Sequence, residues 1–274
     1  MTIIAEAGAT KTDWYARSSS GAVLSTRTQG INTATMSTGT ISGIVSEALG
    51  ALDFGGEQAE EVYFYGAGLL SDEMAAFFPG ARVECASDLL AAARAVCDHS
   101  EGIAAIVGTG SNSCLYDGSG IVRNIHCSGF ILGDEGSAAV LGKLFISDYL
   151  KDLVPEPLAS DFAAEFGVDY PSAVKSVYRG DAPSRYLGSF APWIMARYEA
   201  SGYVRSLVEG NFRAFFERSL TRYGRPDLPV GIVGGFGAAC SDILCRIAGE
   251  YGITVSTVTA SPMEGLLRYH GFKA

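Results

Sequence analysis

The sequence is short of basic residues and of histidine, and it holds no long apolar run. Lys and Arg total 20 against 30 Asp and Glu, the net charge is −10, and the basic residues form no cluster. A nucleic acid or an anionic membrane surface calls for a basic field, so neither is expected as a partner. A small anionic ligand stays in play, because backbone N–H groups and a bound metal hold phosphate without such a field. The opening Met1–Glu6 has neither a basic n-region nor a long apolar h-region, and no apolar run approaches a membrane span. The expectation is a soluble, cytoplasmic protein. Among the six cysteines there is no Cys-x-x-Cys, and His99, His126 and His270 are scattered. That disfavours a zinc site or a disulfide framework and predicts reduced, mostly buried thiols. No low-complexity linker divides the chain.

What the chain does have is a 48% hydrophobic composition over 274 residues, enough for one large domain or two of ordinary size. In the first half, strands are predicted at 2–7, 13–17, 22–26, 62–65 and 82–85. Helices are predicted at 41–52, where apolar residues recur on one face, at 71–78, and at 89–96. The second half follows the same plan. Strand 102–107, a turn, strand 113–116, a Ser/Gly loop and strand 121–125 repeat the layout of the chain's opening, an internal duplication. Helices at 137–150, 158–166, 193–198 and 203–223 come next, then strand 230–233, helix 242–251, strand 253–258 and a last helix opened by Pro262. The junction of the halves lies near 98–101.

Three glycine-bearing turns stand at strand ends. In the first, Glu6-Ala-Gly8-Ala-Thr10-Lys11-Thr12, Gly8 permits close approach of a ligand, Thr10 and Thr12 offer hydroxyls, and Glu6 is placed to hold Mg²⁺ through water. The spacing is not that of a P-loop. In the second, Gly108-Thr109-Gly110-Ser111-Asn112, small and hydroxyl residues are suited to wrapping a phosphate in backbone N–H groups. The third, Gly234-Gly235-Phe-Gly, leads into a helix whose N-terminal end could face a nucleotide. An ordinary hairpin explains the first, and any one of the three is a weak signal; the three together point to a nucleotide.

Two acidic sites accompany the turns. Asp88 lies at the start of an alanine-rich helix after a short strand, where it could accept a proton from a substrate hydroxyl. The competing reading is that Ser87 or Asp88 simply caps the helix. Gly133-Asp134-Glu135-Gly-Ser137 sets two acids between glycines, suited to sugar hydroxyls or a metal, with N-capping by Asp134 as the structural alternative.

These motifs resemble the N-acetylglucosamine kinase branch of the sugar kinase/Hsp70/actin superfamily, together with the related BadF/BadG-type ATPases. The resemblance spans essentially the whole chain, and the closing Ser261-Pro-Met-Glu-Gly-Leu266 is similar to short bacterial members. It implies an α/β chain with a duplicated ribonuclease H-like (actin-like ATPase) fold, two domains around a cleft. The domains would be 1–98 plus 262–274, and 99–261. It also implies ATP and Mg²⁺ as cofactors and a small amino sugar as substrate, phosphorylated at its 6-hydroxyl. Asp88 matches the proton acceptor, Asn32 and Asp134 match sugar contacts, and Thr10 and Thr109 match threonines of the phosphate turns. Asn112, Gly133 and Glu135 fall in the sugar-side motifs, and Gly108, Gly110, Ser111, Lys11, Thr12, Gly234 and Gly235 in the nucleotide-side ones. Ala7 and Ala9 depart from the pattern, where glycine or serine is frequent, and no second catalytic acid is evident beside Asp88.

Several readings stay open at this point. The sugar is N-acetylglucosamine first, with N-acetylmuramic acid, N-acetylmannosamine and glucosamine behind it. A BadF-type activator would hold an iron–sulfur cluster between two subunits, with Cys127 and Cys114 as the candidate ligands. A non-catalytic sugar sensor is disfavoured because the chain starts directly in a strand, without a DNA-binding helix-turn-helix, and keeps Asp88. The oligomeric state, a homodimer among the options, is open.

Overall fold

Two runs rich in β-branched and aromatic residues, Thr2–Ala7 (β1) and Lys11–Arg17 (β2), pair antiparallel in the computed structural model, which describes residues 1–8, 11–33, 35–66 and 74–272. Val23–Gln29 (β3) continues antiparallel on β2. Glu61–Gly66 (β4) lies parallel to β1, and Arg82–Ala86 (β5) parallel to β4, giving the order β3-β2-β1-β4-β5. Strand side chains alternate between the two faces. Ile3, Ala5 and Trp14 therefore enter one core with Ile41, Ile44, Val45 and Ala48 of the helix Thr38–Ala51 (α1). Ile4 and Tyr65 enter a second, with Ala91 and Ala95 of the helix Asp88–Cys97 (α2) and Leu266 of the C-terminal helix Met263–Tyr269.

The C-terminal helix sits hard against α2. A β-carbon added at Gly265 would lie 2.2 Å from the carbonyl oxygen of Ala95, so only glycine allows this approach. Arg268 closes the contact, donating from Nη2 to the same carbonyl at 2.9 Å. This contact explains why the last residues belong to the first of two units: Met1–Ser100, Asp117–Ile121 and Ser261–Ala274 form one, Glu101–Tyr116 and Val122–Ala260 the other.

The second unit carries Glu101–Val107 (β6), Ser111–Asp117 (β7), Ile121–Ile125 (β8), Val230–Val233 (β9) and Val255–Thr259 (β10), in the order β10-β9-β6-β7-β8. Taken from β8, this is again third, second, first, fourth, fifth strand. The duplication read from the turns is thus a duplication of topology. Helices fill the interval between β8 and β9, a short one at Gly129–Leu132 and then Ala138–Tyr149 (α3) and others, around a core that includes Phe145, Phe162, Phe212 and Phe216. Gly129–Leu132 is not in the sequence-based expectation, nor are two longer ones, Tyr170–Tyr178 and Pro183–Gly188. Tyr170–Tyr178 starts at a capping box, Asp169 with Ser172, and that local signal was present in the sequence. The long helix expected at 203–223 instead ends at Arg218, and Leu220–Tyr223 tightens into a 3₁₀ turn stopped by Gly224 at φ 68°. The helix expected at 71–78 lies partly outside the described residues.

Candidate active site

In the first unit, the first turn is a tight connection between β1 and β2, closed by Gly8 N–H donating to the Lys11 carbonyl at 2.8 Å. Thr10 lies outside the described residues. Thr12, expected to offer its hydroxyl to phosphate, faces the other way: it is fully buried, and its Oγ1 donates to the Gln29 carbonyl at 3.2 Å. The period-2 alternation that turns Thr12 to one face turns Lys11 and Asp13 to the opposite one.

On that face, Glu6 and Asp13 stand directly opposite each other in the β1–β2 register. Glu6 is half-buried, and its carboxyl is pushed up to about 6, first by burial and then by the charge of Asp13, with Asp88 adding and Lys11 opposing. Asp13 is buried too, which by itself would raise its carboxyl. Hydrogen bonds from Arg27 and Lys11 outweigh that and hold it below the usual carboxylate range. Lys11 Nζ meets Oδ2 at 2.9 Å and Arg27 Nε meets Oδ1 at 2.6 Å. Sequence reading passed over Asp13 as an ordinary strand residue. Its place at the strand start, just after the turn, was the available signal, but its importance comes from the cross-strand pairing.

Asp88 is not the cap of its helix. Ser87 is the N-cap, accepting from Leu90 N–H on its Oγ at 3.1 Å, and Asp88 is the first helical residue. The Asp88 Oδ1 accepts from Leu89 N–H at 2.8 Å. Burial raises its carboxyl above the ordinary aspartate value, against this backbone hydrogen bond. A half-buried carboxylate of raised basicity, free of the capping duty, is suited to taking a proton. Asn32, in the loop after β3, accepts on its carbonyl from Met36 N–H at 3.0 Å, and its own N–H meets Met36 Sδ at 3.4 Å.

In the second unit, the turn after β6 is docked on the start of α3. The carbonyls of Gly108 and Thr109 accept from Ala138 and Ala139 N–H at 3.0 and 3.1 Å. Ser137 caps α3, taking Val140 N–H at 3.2 Å; Asp134 does not. Within the turn, Gly108 N–H is used by the Gly110 carbonyl at 2.9 Å, and Ser111 N–H by the Asp134 carboxylate. The N–H groups of Thr109 and Gly110 carry no such bond, and the Thr109 side chain is exposed. Of the N–H groups in this turn, these two are the ones left for a ligand.

Ser111 and Asn112 serve the framework. Ser111 is buried and donates its hydroxyl to the Glu135 carbonyl at 2.8 Å. The Asn112 amide oxygen accepts from Ser113 N–H and from Asn124 Nδ2, each at 2.9 Å. Glu135 is committed to Arg218, Oε1 to Nε 2.9 Å. Asp134 is buried with left-handed backbone at φ 57°, and burial raises its carboxyl against the bonds from Ser111 N–H and the Cys127 thiol. Gly133 has no room for a side chain, since an added β-carbon would fall 1.9 Å from the Cys127 carbonyl oxygen.

The third turn contains two unlike glycines. Gly234, at φ 132°, is pressed against β6: an added β-carbon would lie 2.3 Å from the Val107 carbonyl oxygen. Its N–H donates to the Thr259 carbonyl at 2.8 Å. Gly235 is exposed with open space around the β-carbon position.

Among the described residues, no three His, Cys, Asp or Glu side chains are grouped to hold a metal by themselves, and no helix is long and apolar enough to cross a membrane. Cys114 is fully buried in β7, out of reach of a cluster shared between subunits, and the Cys127 thiol is engaged by Asp134.

No protein-family model and no curated protein matches the chain. Solved structures do. The "Putative N-acetylglucosamine Kinase" of Porphyromonas gingivalis is 41% identical, with a TM-score of 0.90 and 98% of each chain covered. The "Putative N-acetylglucosamine Kinase" of Chromobacterium violaceum is 19% identical, with a TM-score of 0.77 and the same 98% coverage of each chain. A ROK family glucokinase from Streptomyces griseus, solved with glucose and AMPPNP, is 17% identical with a TM-score of 0.53, over 98% of this chain and 97% of that one. The last two show the fold alone. With 41% identity over 98% of both chains, this protein belongs to the family of its Porphyromonas counterpart, the sugar kinases of the N-acetylglucosamine kinase branch on the duplicated actin-like fold.

Proposed function

We propose that the protein transfers the γ-phosphoryl group of ATP to the 6-hydroxyl of an N-acetylated amino sugar, N-acetylglucosamine first among them. The single observation that carries the mechanism is the freedom of Asp88: Ser87 caps the helix, and the Asp88 carboxylate is half-buried and made more basic by burial. The substrate class comes from the relative described as a "Putative N-acetylglucosamine Kinase".

In this reading Asp88 accepts a hydrogen bond from the sugar 6-hydroxyl and orients the oxygen toward the γ-phosphorus. The oxygen–phosphorus bond forms as the bond from phosphorus to the bridging oxygen of ADP breaks. The hydroxyl proton passes to Asp88 late, because a loose transition state needs little prior deprotonation. Lys11 and the N–H groups of Thr109 and Gly110 hold phosphate oxygens, with Gly8 and Thr10 in the first turn. Gly234 and Gly235 face the nucleoside, and Asn32 and Asp134 the sugar. Thr12, Ser111, Asn112 and Glu135 support these groups rather than touch the ligand.

Mg²⁺ suits the site as an ion bound chiefly by phosphates and water, with Glu6 as a carboxylate reached through water. Among the described residues, no three-residue cage exists to hold it alone. When bound, the ion supplies neutralisation of the charge on the β- and γ-phosphates.

The test is a coupled ADP-release assay over N-acetylglucosamine, N-acetylmannosamine, N-acetylmuramic acid and glucosamine. ADP release that depends on one of the N-acetylated sugars is expected. A protein that releases no ADP with any of the four is not the kinase described here.

A further inference from the structure

Asp13 plays no part in the steps just set out, yet its carboxylate holds two cations at once. Lys11 Nζ is 2.9 Å from Oδ2 and Arg27 Nε 2.6 Å from Oδ1. The Asp13 side chain is 12% exposed, against 47% for Lys11 and 64% for Arg27. Ion pairs with exposed partners contribute little to stability. Directly opposite Asp13 in the register stands Glu6, where a like charge is unfavourable. Stability alone therefore does not account for an acid at this position.

The location of Lys11 does account for it. Lys11 is the first residue of β2, immediately after the phosphate turn, and residues two apart share a strand face. An unrestrained lysine carries roughly 2 kcal/mol of rotamer entropy that a ligand would have to freeze. An ammonium has three N–H donors. With one on Asp13, the remaining donors are available to phosphate oxygens. Arg27 fixes the other carboxylate oxygen, so the acceptor cannot swing away with the lysine.

We propose that Asp13 is a positioning residue that holds the Lys11 ammonium at the first phosphate turn, ready for the phosphates of ATP, and that it acts on ATP only through Lys11. The proposal rests on the kinase reading for the identity of the nucleotide.

Calorimetric ATP binding, without sugar, to the wild type, Asp13→Asn, Lys11→Met and the double variant tests it, with thermal midpoints alongside. Asp13→Asn should raise the Kd for ATP roughly tenfold, the usual effect of losing one well-aimed charged contact. Lys11→Met should raise it at least as much. The double variant should bind like Lys11→Met alone, and Asp13→Glu should recover part of the affinity. In turnover, KM for ATP should move more than kcat. Equal or tighter ATP binding by Asp13→Asn overturns the proposal, and so does a penalty that persists in the Lys11→Met background. Should Asp13→Asn fail to fold, Asp13→Glu carries the same cycle, because the displaced carboxylate must still be coupled to Lys11. ATP binding in this pattern with no sugar phosphorylated refutes the kinase reading but not the role of Asp13. A wild type that binds no ATP overturns both.

Discussion

Gly110 lies so close to Asp134 that a β-carbon added at 110 would sit 3.1 Å from Oδ2. The carboxylate also takes the N–H of the next residue, Ser111. Asp134 therefore holds the β6–β7 turn while its own backbone is fixed by the Asp134 N–H to Cys127 carbonyl bond of 2.9 Å. Gly110→Ala should shift the turn by a few tenths of an ångström and leave the fold intact. The expected result is a KM for ATP raised on the order of fivefold, about 1 kcal/mol, with a near-normal thermal midpoint. Gly133→Ala, where the clash is with backbone, should instead lower stability by about 3 kcal/mol or more. An unchanged KM in Gly110→Ala would remove the turn from the nucleotide site.

The division of labour between Ser87 and Asp88 gives a paired experiment. Ser87→Ala removes the cap and should cost about 1 kcal/mol of stability, with kcat nearly unchanged. Asp88→Asn removes a buried charge and should hold or raise the thermal midpoint, while kcat falls by roughly 10²–10⁴-fold. The KM for sugar should move far less, because an amide still bonds the hydroxyl. Near-normal kcat in a folded Asp88→Asn protein would sink the catalytic assignment.

Gly235 is the clean probe of the third turn. Nothing surrounds its β-carbon position, so Gly235→Val should fold normally, and any loss of ATP affinity reports on the ligand. Gly234→Ala meets the Val107 carbonyl and a left-handed backbone, and should unfold more readily whether or not ATP binds. Equal ATP affinity for wild type and Gly235→Val would place the nucleoside elsewhere.

His270 predicts an acid transition. Its ring stacks on Tyr63 with centroids 3.9 Å apart and shares a 2.7 Å hydrogen bond with the Tyr65 hydroxyl. Burial, with the Arg94 charge nearby, lowers its pKa from 6.5 to about 4. The unfolded chain thus binds this proton first. The stabilisation is complete above pH 6.5 and is lost as pH falls through about 4. The loss is about 2 kcal/mol after discounting for the ring's partial exposure. His270→Gln should flatten denaturation midpoints across this window. An unchanged pH slope in the variant would show that another group sets it.

The sequence alone was enough for the architecture. The repeated strand–turn–strand openings implied two like sheets, and both have the same strand order. Turn glycines and strand ends are local signals, set by backbone sterics and by side-chain alternation, so they can be read residue by residue. The C-terminal segment joined the first unit because Gly265 admits Ala95, a contact between residues 170 positions apart. Which polar atoms are available was decided only in three dimensions. Thr12 and Ser111 look like phosphate ligands in the sequence, but their hydroxyls are consumed by the Gln29 and Glu135 carbonyls. Asp13 looks like a strand residue and proves to be the acceptor for Lys11 and Arg27. A hydroxyl or carboxylate is the same chemical group whether free or engaged. Its availability depends on partners brought from elsewhere in the chain by strand register and loop docking, and no local pattern specifies those partners.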